Sequence, residues 1–136
     1  MKLRTDQKVV CEVQGKLFEL ALAKGYDGLK FIETFMNSKV AADMDLTFNK
    51  YQWMGEEYLL EELCDEVGEL PAKEKEYNPE MMYWCGHIYR YWHYYTGETS
   101  KEIYSIVDAE TMNMCWYGYH TLDEEFAIDR LKEKSA

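Results

Sequence analysis

The fold turns on "YWCGHIYRYWHYYTG", Tyr83 to Gly97. The preceding "NPE" places Asn78 as a helix cap and Pro79 at the first helical position, where a missing N–H costs nothing. Gly97 is a natural stop. The stretch shows no two-residue alternation, so it predicts one helix from Pro79 to about Thr96. At 100° per residue, Met81, Trp84, Cys85, Ile88, Tyr89, Trp92 and Tyr95 share one broad face, and that face is core. The other face carries Tyr83, His87, Arg90 and Tyr94 in a continuous row, with Gly86 and His93 beside them.

Similar signals recur on both sides. Val9, Val10, Val13, Leu17, Leu20 and Ala21 predict a helix from Asp6 to Lys24, stopped by Gly25. A second helix starts near Asp27, and Ser38 caps a short third through Met44. "NKYQWMGEEYLLEELCDEVG" predicts a longer helix from Lys50 to Val67, with Trp53, Leu59, Leu60, Leu63, Cys64 and Val67 on one stripe. Gly68 to Asn78 is a short charged connection between two helical layers. Downstream, "TSKE" (Thr99 to Glu102) and "TLDE" (Thr121 to Glu124) read as capping boxes. They open helices through Ile106 and to about Lys134, and Asp108 caps another between them. The expectation is one all-α domain over residues 1–136, a compact bundle of seven or eight helices around the aromatic one.

Composition bounds the function. The chain has 26 acidic and 15 basic residues, for a net charge of −11. That sign disfavours direct nucleic-acid binding and anionic membranes. It suits a basic protein partner, or mimicry of nucleic acid toward one. The start of the sequence lacks the apolar core of a secretory signal, and no run approaches a membrane span, which points to the cytoplasm. Cys11, Cys64, Cys85 and Cys115 form no CxxC pair and read as buried free thiols.

Two surfaces are candidates for binding. The acidic one is Glu57, Glu61, Glu62, Asp65 and Glu66, in a segment with no Lys or Arg between Lys50 and Lys73. The other is the row Tyr83, His87, Arg90, His93 and Tyr94. Arginine grips carboxylates or phosphates with paired hydrogen bonds, and aromatics beside it supply stacking area. The same row could instead pack on another helix with its polar tips at the rim. Glu56 falls within the apolar stripe of its own helix, one turn after Gln52. A semi-buried carboxylate there calls for a partner, such as Arg90 or a tyrosine hydroxyl. No metal site is expected: Cys85 and His87 are two residues apart and His87 and His93 six, spacings that face no two side chains together on a helix. Glycine-rich phosphate loops and a GxSxG elbow are absent, and no cofactor is expected.

"FIETFMNSKVAADMD" (Phe31 to Asp45), "YRYWHYYTGETSKEIY" (Tyr89 to Tyr104) and "HTLDEEFAIDRL" (His120 to Leu131) resemble an uncharacterised family of small bacterial all-helical proteins. Members of that family lie in gene neighbourhoods of toxin–antitoxin type, beside an ADP-ribosyltransferase-like protein. The resemblance implies an interaction or inhibitory role, with a protein partner to neutralise, and carries over no site residue. The alternative is a small ligand-binding domain or enzyme whose pocket is lined by Arg90, Tyr83, His87, His93 and Tyr94.

Overall fold

A computed structural model describes residues 2–135. Among these the chain forms eight helices and no strand: α1 (Thr5–Ala23), α2 (Gly28–Met36), α3 (Lys39–Met44), α4 (Glu56–Val67), α5 (Pro79–Thr96), α6 (Ser100–Ile106), α7 (Ala109–Tyr119) and α8 (Glu124–Ser135). The architecture is all-α, as the periodicity predicts.

Caps set most of the boundaries. The side chains of Asp27, Ser38, Asn78, Thr99 and Asp108 each accept a hydrogen bond from a backbone N–H of the first turn that follows, satisfying donors that a helix start leaves unpaired. Thr99 and Glu102 complete the expected capping box. The "TLDE" box does not form. Asp123 takes that place, with its carboxylate accepting the Glu125 N–H at 3.1 Å.

The largest departure is at α4. Periodicity carried this helix back to Lys50, but it starts at Glu56. Asn49 holds the preceding segment in a turn: its amide donates to the Leu46 carbonyl at 2.9 Å, and its side-chain oxygen accepts the Tyr51 N–H at 2.9 Å. Such local side-chain bonds compete with helix. Tyr51 therefore enters the core, and Trp53, assigned to the buried stripe, stands 77% exposed.

All eight helices contribute to one buried cluster. Phe18, Phe31 and Phe35 lie at its α1–α2 end, with centroids 5.4–6.2 Å apart and Phe18 edge-on to both partners. Trp84, Cys85, Ile88, Tyr89 and Trp92 of α5 are buried, so that face of the aromatic helix is core. The aromatic tips are satisfied: the Tyr89 hydroxyl donates to the Val107 carbonyl at 2.7 Å, and the Trp92 indole N–H to Glu98 at 2.9 Å. The most extensive helix contact is α1 on α5. It is close because two glycines meet there: a Cβ on Gly86 would overlap the Gln14 carbonyl, and one on Gly15 would lie 2.8 Å from the Tyr83 ring.

The charged connection 68–78 is pinned rather than slack. The Asp27 N–H donates to the Pro71 carbonyl and the Lys73 N–H to the Gly25 carbonyl, both at 2.9 Å, and Leu70 is buried. Cys11, Cys85 and Cys115 are buried free thiols; Cys64 is only partly covered.

Candidate functional site

Arg90 is 0% exposed. Its guanidinium is held on three sides: Nε donates to Gln14 Oε1 at 2.8 Å, Nη1 to Asp45 Oδ1 at 2.8 Å and Nη2 to Ser100 Oγ at 3.2 Å. Asp45, with a side chain 6% exposed, accepts the Ser100 hydroxyl through Oδ1 and the Ser100 backbone N–H through Oδ2, each at 2.8 Å. Gln14 closes the circuit by donating to the Gly86 carbonyl at 3.0 Å. Four segments (α1, the end of α3, α5 and the start of α6) thus meet on one buried ion pair. This corrects two expectations. Arg90 is not a surface for recognition, and its carboxylate is Asp45, not Glu56. Glu56 sits half-buried at the first position of α4, where the positive end of the helix favours a carboxylate.

The remaining members of the row diverge, so the five residues do not line one pocket. His93 and Tyr94 border a polar cleft of about 180 Å³ with Asp45, Arg4, Asn49 and Gln52. The His93 Nδ1–H donates to the Glu98 carbonyl at 2.7 Å, and the same nitrogen lies 3.7 Å from Asp45 Oδ1. Burial raises the Tyr94 phenol above its ordinary value, with the Arg90 charge opposing in part. Tyr83 and His87 turn the other way. Their rings stack at 6.1 Å and 17°, and together they line a recess against α7. His87 Nε2 lies 3.3 Å from a Glu124 carboxylate oxygen, while its Nδ1 is buried without a partner.

The acidic surface is smaller than the sequence predicts. Glu66 is spent on α3, its carboxylate accepting the Lys39 and Val40 N–H groups at 2.8 and 3.0 Å. Glu62 is half-buried and accepts the Tyr51 hydroxyl at 3.3 Å. Glu57, Glu61 and Asp65 remain exposed on α4. The loop between α3 and α4 presents Leu46, Phe48 and Trp53 to solvent; Phe48 is 87% exposed. Tyr58 on α4 is exposed as well. Sequence reasoning gave Phe48 no part and placed Trp53 inside. The signal that could have exposed both was Asn49, a turn former in the segment between Phe48 and Trp53.

Among the described residues, no group of three or more His, Cys, Asp or Glu side chains is placed to hold a metal ion, and no helix is long and apolar enough to cross a membrane.

No protein-family model, curated protein or solved structure matches the chain. The family resemblance of the three stretches therefore rests on those residues alone.

Proposed function

We propose that this chain is an acidic interaction protein that binds a basic protein partner, in an antitoxin-like or inhibitory role, through α4 and the loop before it. The observation that carries this is the exposure of Phe48 and Trp53 in the loop that leads into α4, the helix on which Glu57, Glu61 and Asp65 are exposed. Both rings are more than three-quarters exposed, and apolar area of that size gains by burial against a partner. Tryptophan and tyrosine dominate binding hot spots. The α4 carboxylates supply electrostatic steering of a cationic partner, which acts on association rate more than on final affinity. The two contributions are separable.

The partner is to be identified by affinity purification from the native host with mass spectrometry, and its kinetics measured with purified proteins. Trp53→Ala should raise the dissociation rate by about tenfold or more, the loss of a hot spot of at least ~1.4 kcal/mol. Reversing Glu57, Glu61 and Asp65 to lysine should slow association and flatten its salt dependence. A partner whose rates ignore both changes would overturn this function.

A further inference from the structure

We propose that the recess between α5 and α7 is a binding site for an alkylammonium group. Glu80, Tyr83, Trp84 and His87 recur at i, i+3, i+4 and i+7 of α5, so they form one strip of that helix. Trp116 and His120, one turn apart at the end of α7, supply the opposite wall. The recess is open to solvent and its volume is about 260 Å³, below the usual 300–1,000 Å³ of whole-ligand pockets. It suits a head group rather than a complete cofactor.

The chemistry of the lining selects a cation. Tyr83, Trp84 and Trp116 bring aromatic rings, whose π-faces are negative, and tryptophan is the strongest of these for a cation. None of the lining residues is lysine or arginine, so no cation of the chain's own fills the space from the lining. Glu80 adds a carboxylate at an exposed position, and the whole chain carries −11. The walls are also fixed in advance. The His120 ring stacks on Trp116 at 4.5 Å and 21°, and its Nδ1–H donates to the Trp116 carbonyl at 2.8 Å. Tyr83 and His87 stack on each other, and Glu124 holds the far nitrogen of His87. Rings held before binding lose little freedom when a ligand arrives. A guanidinium draws much of its specificity from paired hydrogen bonds to a carboxylate, and the one carboxylate of this lining, Glu80, is exposed, where water competes for those bonds. That favours an ammonium whose charge is spread over methyl or methylene groups. The site lies on α5 and α7, apart from the α4 surface, and does not depend on the function proposed for that surface.

The test is a titration of the full chain, monitored through the indole N–H resonances of Trp84 and Trp116. Choline is compared with 3,3-dimethyl-1-butanol, its neutral isostere, and a trimethyl-lysine peptide with the same peptide unmodified. Choline should bind at least tenfold more tightly than the isostere. Trp116→Ala should weaken choline binding at least tenfold, and Trp116→Phe should recover part of it. Glu80→Gln, at an exposed position, should weaken binding with the fold intact, as judged by circular dichroism. If the trimethyl-lysine peptide outbinds choline, the group is borne on a protein chain; if choline matches it, a free quaternary ammonium suffices. Equal binding of choline and its isostere, or choline binding indifferent to both Trp116→Phe and Glu80→Gln, would show an apolar packing recess and sink the proposal.

Discussion

Asp45 and Arg90 stabilise each other only as a pair. Removing one partner of a buried ion pair leaves an uncompensated charge in a poorly solvated place, which costs about 3–5 kcal/mol. Arg90→Ala should therefore lower stability by about that amount in urea unfolding, and adding Asp45→Asn should return part of it. A single variant that unfolds at the wild-type midpoint would mean that water reaches Asp45 freely. Arg90→Lys is not a conservative change here, because one ammonium cannot span Gln14, Asp45 and Ser100 in the plane that the guanidinium uses. The thiols give a second residue-scale expectation. Burial pushes the Cys11 thiol from its ordinary 9.0 up to about 12, and Cys85 moves the same way for the same reason. The folded pKa lies above the unfolded one, so this contribution to stability is complete below pH 9. It is lost as pH rises from about 9 toward 12, because the unfolded chain releases the proton first. Melting temperature should fall over that window, and the fall should be shallower in Cys11→Ala.

Among the elements, the α1–α5 contact is the one that tolerates least. Gly86→Ala would drive a methyl group into the Gln14 backbone, which is not the flexible end of a side chain. Overpacking of this kind costs about 1–3 kcal/mol or more, and α1 and α5 must separate to relieve it. Gly118→Ala, in α7, meets nothing within 4 Å and should stabilise by about 0.5–1 kcal/mol, since alanine loses less backbone freedom than glycine in a helix. Thermal unfolding of the two single variants should shift in opposite directions. The helices were legible in the sequence largely because their caps are local: Asp27, Ser38, Asn78, Thr99 and Asp108 act within a few residues of themselves. The start of α4 was not, because apolar spacing continued upstream through Trp53 while Asn49 imposed a turn. A stripe on a helical wheel records only which residues would share a face if the segment were helical.

For the molecule as a whole, the site was legible in part and for a definite reason. Arg90 stood out because it is the only basic residue between Lys75 and Lys101 apart from histidines, set in an aromatic helix. Its partners lie 45, 76 and 10 residues away in sequence, at Asp45, Gln14 and Ser100. Spacing within one helix cannot reveal such contacts. The recess between α5 and α7 was hidden likewise, since two of its six lining residues are Trp116 and His120. The same remoteness has a consequence during synthesis. α5 is complete only at Thr96, 73 residues after α1 ends at Ala23. At about 5–20 residues per second, that interval is about 4–15 s. Throughout it the face of α1 that carries Gln14 and Gly15 has no fifth helix to lie against. The central seam therefore closes only after α2, α3 and α4 have been made, and for those seconds that face of the first helix is open to a chaperone.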